Sequence, residues 1–417
     1  MVPGEIIEVR VGGIAAGGAG IARYGGQVVF IRRSAPGERV RARVRRDHGN
    51  WAEAVLLEVQ EPSPRRLEPR CPLRESTGSG GCGGCPLQHL DYPFQLEIKT
   101  QILRESFERL GGLSGASRPG ALEKPRVVPS EPWEYRNRVQ FHAIPSGPGA
   151  GGPGRPGNPR GPHVGFMPGA EDPDAEARGL IPVGDCPIAD PGIRALLAAG
   201  ELEAPEGRDR FTVYSRGGLV LREGGLSRGL VRLRERELLM DAGFFFQSNA
   251  ALLEVLIGDL LSIAARADQR LPLADLYCGV GTFASFLSAL FPRAVLLEEN
   301  RAALALARHN LDPGDHIFHA FTDNEWVKLH KSEQAAPRYG LIVADPPRQG
   351  LSPALRRWLA RGPAPLLAYV SCNPATLARD SAELLRGAWE LEDLAYYDFY
   401  PQTAHIESLA LFRNRHG

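Results

Sequence analysis

The sequence predicts an α/β protein in three parts: a small N-terminal β-barrel, a β-rich central region and a C-terminal doubly wound sheet. Three observations carry that expectation. Residues 4 to 60 set short apolar runs between glycine turns with no helical period. From Val127 to Leu239, β-type runs dominate. From Leu252 onward strands and helices alternate, the βαβ rhythm of a parallel sheet that binds ligands at the carboxyl ends of its strands.

In the first part, Glu5 to Val9, Gly26 to Ile31, Glu38 to Val44 and Trp51 to Val59 read as strands. Gly12-Gly13, Gly17-Gly18 and Pro36-Gly37 punctuate them. Strands so short and so closely spaced suggest a closed barrel of the OB type. Pro62, Pro64 and Pro69, with Arg65 and Arg66, form a stiff basic linker to Cys71. Residues 93 to 110 show helical spacing at Leu96, Leu103, Phe107 and Leu110, stopped by Gly111-Gly112. Central strands are expected at Val139–Ile144, Val164–Phe166, Phe211–Tyr214 and Leu219–Leu221. The Pro/Gly tract from Pro145 to Pro162 reads as a solvated hairpin extension. Part boundaries are expected near residues 60 and 245.

The last part opens with a helix from Leu252 to Ala267 and a strand from Leu271 to Leu276. A glycine turn then leads to a helix from Thr282. The strand Ala294 to Leu297 ends at Glu298-Glu299 and precedes a helix from Arg301 to Asn310. Strands at Gly340–Ala344 and Leu366–Val370 continue the alternation.

With 417 residues and 43% hydrophobic content, the chain can fill more than one core. Its 49 basic and 49 acidic residues cancel, which excludes a polycation but leaves room for a local basic face. The start, MVPGEIIEVR, has no apolar stretch behind a basic one. The apolar run Ala251 to Ala267 carries Glu254, Asp259 and Arg266, so no membrane partner is expected. A cytoplasmic setting follows, where six cysteines serve as ligands or catalysts rather than disulfides. No obligate protein partner is evident.

Two strand ends carry a nucleotide-site pattern. Asp275-Leu-Tyr-Cys-Gly-Val-Gly281 follows a strand and opens a helix, and Gly279 and Gly281 permit a tight turn and close backbone approach. Glu298, at the next strand end, stands where an acid can hold a ribose diol. Taken alone, the glycine pair also suits a dehydrogenase-like turn or a plain βα corner. Asp345-Pro-Pro-Arg348 ends the fourth strand and Ser371-Cys-Asn-Pro-Ala-Thr376 the fifth. An Asp-Pro-Pro strand end also fits an amino-methyltransferase, which needs no cysteine; Cys372 points elsewhere.

The form D-x-Y-C-G-x-G resembles the first motif of Rossmann-like methyltransferases. Val370-Ser-Cys-Asn-Pro-Ala-Thr-Leu-Ala-Arg-Asp380 and Asp398-Phe-Tyr-Pro-Gln-Thr-Ala-His-Ile-Glu-Ser408 resemble the two signatures of RNA uridine-5-methyltransferases of the RlmD and TrmA type. The resemblance covers nearly the whole chain. It implies S-adenosylmethionine as methyl donor, held by Gln247, Asp275, Tyr277, Gly279, Gly281, Glu298, Asp323 and Asp345. It further implies Cys372 as the nucleophile on uracil C6, Glu407 as the base for the C5 proton, and Asp345 on the uracil edge. Gln247 could also donate to uracil O4. Such chemistry answers a need, because C5 is too weak a nucleophile until a thiolate adds to C6.

Cys71, Cys82, Cys85 and Cys186 make four possible thiolate ligands, for zinc or for an iron–sulfur cluster on spacing alone. Gly81-Cys-Gly-Gly-Cys-Pro-Leu-Gln-His-Leu-Asp-Tyr92 and Gly184-Asp-Cys-Pro-Ile188 resemble the ligand segments of RlmD-type enzymes, which implies a 4Fe–4S cluster. The gap from Cys71 to Cys82, with its extra segment Glu75 to Gly80, is longer than in that family. Gly17-Gly-Ala-Gly-Ile-Ala-Arg23 and Ala35-Pro-Gly-Glu-Arg-Val40 resemble a TRAM domain, with a basic groove expected from Arg32, Arg33, Arg39, Arg41, Arg43, Arg45 and Arg46. Barrel and cysteine cluster together imply ribosomal RNA of the large subunit as substrate, with tRNA as the alternative. Arg136 and Asn137 match a further family segment and suit a structural role equally well.

Overall fold

A computed structural model describes residues 1–74, 81–113, 120–144, 163–169, 179–330 and 338–416. The segment 75–80 and the tract 145–162 lie outside the described residues. No helix among the described residues is long and apolar enough to cross a membrane. The chain forms two compact units. One comprises Met1–Ile102, Glu131–Ser227 and Tyr400–His405, the other Leu103–Ser130, Arg228–Phe399 and Ile406–Gly417. Residues 103–130 and 228–245, grouped with the central region on sequence, therefore belong to the second unit.

In the first unit, β1 (Ile6–Ile14), β2 (Gly20–Tyr24), β3 (Gln27–Ile31), β4 (Arg39–Asp47) and β5 (Trp51–Glu61) close into a barrel in the order β1-β2-β3-β5-β4. Strand alternation builds it: along β4, Val40, Ala42 and Val44 are buried while Arg39, Arg41 and Arg43 face out. The short β2 was not legible as a strand because only Ile21 and Ala22 are apolar in it. Helix α1 (Tyr92–Arg109) is divided between the units, and the short β6 (Arg126–Val128) belongs to the second.

A second sheet in the first unit has the order β11-β10-β7-β8-β9. Its strands are β7 (Arg138–Ile144), β8 (His163–Phe166), β9 (Ile181–Pro182), β10 (Arg210–Arg216) and β11 (Leu219–Arg222). Helix α2 (Pro191–Ala199), capped by the Asp190 carboxylate on the Gly192 amide, packs Ile193 and Leu197 against Val139, Phe141, Phe211 and Val213.

The second unit begins with the hairpin β12 (Arg228–Leu233) and β13 (Arg236–Asp241), then α3 (Ala250–Ala264). The alternation follows as β14 (Leu273–Leu276), α4 (Thr282–Leu287), β15 (Ala294–Leu297), α5 (Arg301–Asn310), β16 (Ile317–His319), α6 (Asp323–His330), β17 (Leu341–Ala344), α7 (Pro353–Leu359), β18 (Leu366–Ser371) and α8 (Pro374–Arg386). The chain ends with β19 (Trp389–Tyr397) and β20 (Glu407–Asn414). The eight strands run in the order β16-β15-β14-β17-β18-β20-β19-β6. Every residue of β14, β15, β17 and β18 is buried, as helices on both faces require. From β14 to β18 the neighbours are parallel, but β20 runs antiparallel to both β18 and β19. The doubly wound sheet is thus mixed at one edge. Strand order reverses between β14 and β17, the crevice where such sheets hold ligands.

Candidate active site

At the carboxyl end of β14, Tyr277 takes a left-handed φ of 64°, and Gly279 and Gly281 follow at 56° and 78°. The two glycines do different work. A Cβ on Gly281 would lie 2.9 Å from the Ala307 Cβ, so this glycine lets α4 pack closely on α5. A Cβ on Gly279 would meet nothing within 4 Å, so its backbone is the one open to a ligand. Glu298, one strand over, accepts from the Gly279 amide at 3.1 Å through one oxygen and from the Asn300 amide at 2.8 Å through the other. Asp275 is buried and accepts from the Ala284 amide at 3.0 Å, while its Oδ1 finds no partner. Burial, with Asp345 and Glu298 nearby, lifts its carboxyl to about 7.

The Tyr277 hydroxyl donates to Asp323 at 2.6 Å, and the same Asp323 oxygen accepts from the Ser352 amide at 3.2 Å. Any adenine contact by Asp323 must share that carboxylate. Gln247 lies in the turn before α3, buried, with its Oε1 unpartnered. The neighbouring Asn249 caps α3 and donates to the Ser130 hydroxyl at 2.7 Å, which fixes this turn. Cys278 is a buried packing residue.

The other cluster forms at the ends of β17, β18 and β20. Antiparallel pairing sets Ser371 opposite Ser408. Continued by one residue, that register places Cys372 opposite Glu407, with Cβ atoms about 5 Å apart in such pairs. Asp345, after the adjacent β17, interacts electrostatically with both. Glu407 is 2% exposed and its Oε1 has no partner. Burial and the Asp345 carboxyl push Glu407 well above the ordinary carboxylate range, and burial lifts Asp345 to about 7. Burial, then Glu407 and Asp345, push the Cys372 thiol up to about 12, with Arg348 opposing. All three shifts favour the protonated forms.

A scaffold that sequence reasoning did not single out supports the cluster. Asp380 is fully buried and accepts from the Leu351 amide, the Arg356 and Arg379 guanidiniums and the Tyr369 hydroxyl, all at 2.8 to 2.9 Å. It thereby ties the loop after Asp345-Pro-Pro347 to β18 and α8. Asn373 caps α8 through the Ala375 amide and donates to the Arg348 carbonyl at 2.9 Å. Arg348 was visible only as the fourth residue of a motif, yet it is the basic group acting on both Cys372 and Glu407.

The family described as tRNA (Uracil-5-)-methyltransferase matches residues 230–415, and the TRAM domain matches residues 2–57. The 23S rRNA (uracil(1939)-C(5))-methyltransferase RlmD of Edwardsiella ictaluri is 30% identical over 98% of this chain and 96% of its own length. This chain belongs to the RNA uracil-5-methyltransferase family. RlmD of Alkalilimnicola ehrlichii is also 30% identical, over 99% of this methyltransferase and 97% of its own length. An uncharacterized RNA methyltransferase of Treponema denticola is 30% identical over 93% and 94% respectively. The crystal structure of Pyrococcus abyssi tRNA (uracil-54, C5)-methyltransferase in complex with S-adenosyl-L-homocysteine shares the fold, with a TM-score of 0.68. It covers 97% of this chain and 100% of its own at 20% identity.

In the first unit of the methyltransferase, no group of three or more His, Cys, Asp or Glu side chains among the described residues is placed to hold a metal ion. The four cysteines are nonetheless neighbours. Burial raises the thiols of Cys71, Cys85 and Cys186, the last to about 11, and Cys82 adds to all three. Arg136 opposes the shift at Cys85 and Cys186. Cys71 stays within reach of Cys82 despite the long gap, its amide donating to the Gln88 side chain at 2.7 Å. Asn137 is structural, donating to the Ser215 carbonyl at 2.8 Å and to Asp190 at 3.2 Å. The expected basic groove of the barrel is smaller than its arginine count. Arg33 is 1% exposed, while Arg39 pairs with Glu8 and Arg41 with Glu58.

Proposed function

We propose that this methyltransferase places a methyl group on C5 of one uridine in large-subunit ribosomal RNA, through a covalent bond between Cys372 and uracil C6. The observation that carries the reading is a thiol and a buried acid side by side: Glu407, with one unpartnered oxygen, acts electrostatically on Cys372 at the end of the paired strands β18 and β20. Full-length relatives named for 23S rRNA support the substrate.

The residues at the β14 and β15 ends fit a nucleoside cofactor. Gly279 offers open backbone, Glu298 keeps acceptor capacity for a ribose diol, and the orphaned Asp275 Oδ1 and Gln247 Oε1 await donors. Bound there, S-adenosylmethionine would supply an electrophilic methyl group on a sulfonium centre. The Cys372 sulfur adds to C6 as thiolate, and the C5–C6 π electrons shift toward O4, where the preorganised donors of the site take the developing charge. C5 then takes the methyl group as the sulfonium–methyl bond breaks. Glu407, ionised once its resting proton has passed to solvent, takes the C5 proton as a carboxylate, C5=C6 re-forms and the Cys372 sulfur leaves as thiolate. Asp345, its carboxyl lifted by burial to about 7, can meet the uracil edge as donor when protonated or as acceptor when ionised. Arg348 draws the thiol toward thiolate.

A 4Fe–4S cluster on Cys71, Cys82, Cys85 and Cys186 is part of this reading. Its support is a donor set of four thiols that act electrostatically on one another. Protein purified without oxygen should carry about four irons per chain; stoichiometric zinc without iron would contradict the cluster.

The function is tested by offering unmodified large-subunit rRNA and tRNA with S-adenosylmethionine, then digesting to nucleosides. The reading expects 5-methyluridine at a single rRNA position. Product only in tRNA would move the substrate, and product in neither would overturn the function.

A further inference from the structure

On the outer face of the barrel lies a cavity of about 280 Å³, lined in part by Gly17, Phe30, Arg32, Arg45, Trp51 and Glu53. Strand geometry explains its chemistry. Along β5, Ala52, Ala54 and Leu56 turn into the barrel core, so Trp51, Glu53 and Val55 turn outward. Parallel pairing of β3 with β5 sets Phe30 beside Glu53. The β4–β5 register shifts between Val44 and Arg46, and the bulge brings Arg45 to the rim.

An outward barrel face is ordinarily polar, and this one presents two aromatic rings instead. The indole is held before any ligand arrives. His48 stacks on Trp51 at 3.8 Å and 14°, and Phe30 meets it edge-on at 5.6 Å and 75°. Arg39 and Arg41 pair with acids on neighbouring strands, and Arg33 is buried. The guanidiniums that line this cavity are those of Arg32, which donates to the Gly17 carbonyl at 3.4 Å, and Arg45. Rings, two guanidiniums and one carboxylate in a space of this size match a single nucleotide. Aromatic rings stack any base, and guanidiniums take the phosphate. A carboxylate only accepts, so it favours guanine, whose N1–H and N2–H lie side by side, over uracil with a single N–H.

We propose that this pocket binds one unstacked nucleotide of the RNA, guanosine by preference, separate from the uridine that is methylated. The base lies against Phe30 and Trp51, the phosphate at Arg32 and Arg45, and the base edge at Glu53. The proposal rests on the RNA reading above.

The test uses the full chain and fluorescent single-stranded RNAs of about ten nucleotides, either guanosine-containing or all uridine. Phe30→Leu should weaken the guanosine-containing RNA roughly ten-fold and leave its salt slope unchanged, because stacking carries no counterion term. Arg32→Gln with Arg45→Gln should lower the slope by about 1.4, for two phosphate contacts on a single strand. Guanosine 5′-monophosphate should quench tryptophan emission in the wild type and lose that quenching in Trp51→Phe, a readout independent of how Phe30→Leu folds. Unchanged affinity in Phe30→Leu, or equal quenching with and without Trp51, would overturn the pocket. Equal binding of both RNAs would overturn the guanosine preference. Failure of the wild type to methylate any RNA would strike the function and not the pocket.

Discussion

At the β14–β15 end of the sheet, polar groups are mostly spoken for. Glu298 accepts two backbone amides and Asp323 holds the Tyr277 hydroxyl, while Asp275 and Gln247 each keep one bare oxygen. At the β17–β18–β20 end, Glu407 has a bare oxygen, and Cys372, Asp345 and Glu407 are all driven toward their protonated forms. The first arrangement is a finished receptor, positioned by its own hydrogen bonds. The second leaves a buried carboxyl oxygen unpartnered beside a thiol and another carboxyl, all three shifted toward protonation. A buried polar atom without a partner costs about 1–3 kcal/mol, and both ends of the sheet carry such atoms: Asp275 Oδ1 at one and Glu407 Oε1 at the other.

Three experiments sharpen that contrast. The largest effect belongs to Cys372→Ala, which should lower turnover by roughly 10⁴-fold or more while S-adenosylmethionine still binds, because the two ends are separately built. Near-normal turnover, measured by methyl transfer to RNA, would break the reading. Next comes the scaffold. Asp380→Ala leaves the buried Tyr369 hydroxyl and the Leu351 amide without their acceptor and Arg356 with Glu383 alone, so denaturant unfolding should show a loss of roughly 3–5 kcal/mol. A loss below about 1 kcal/mol would mean Asp380 does not hold the loop.

The smallest effect concerns pH. Asp275 and Asp345 sit at about 7 in the folded protein, against about 4 when unfolded. The folded state then binds more protons, so their contribution to stability is full below about pH 4 and is lost as pH rises toward 7. Asp275→Asn cannot titrate, and its melting temperature should decline less steeply between about pH 4 and pH 7, the window of the two shifts, than that of the wild type. Parallel declines would place the shift elsewhere.

Much of this was legible in the sequence because strand ends are. Asp345 and Cys372 follow buried apolar runs that read as strands, and Glu298 follows Ala294–Leu297 with the observed boundaries. Glu407 was legible only through its signature. Its position opposite Cys372 depends on the antiparallel register of β20, and no local pattern encodes which strand β20 will join. The two glycines looked equivalent in sequence, and only packing separates Gly279, open to a ligand, from Gly281, closed on α5. Asp380 and Arg348 stood inside recognised motifs without a role, because a buried hub is defined by partners from α7, α8 and β18 rather than by spacing. The barrel arginines differ in ways their number does not show: Arg33 is buried, while Arg39 and Arg41 face outward and pair with acids on neighbouring strands.

The central claim, that Cys372 and Glu407 act at successive stages on one base, is tested most directly by Glu407→Gln. The amide keeps the shape of the side chain and cannot take the C5 proton, so addition and methyl transfer proceed while release stops. Incubated with RNA and S-adenosylmethionine, this variant should accumulate a protein–RNA adduct that survives denaturing electrophoresis and carries the new methyl group by mass spectrometry. The same adduct should be absent from Cys372→Ala. A Glu407→Gln enzyme that turns over normally and leaves no adduct would contradict the account.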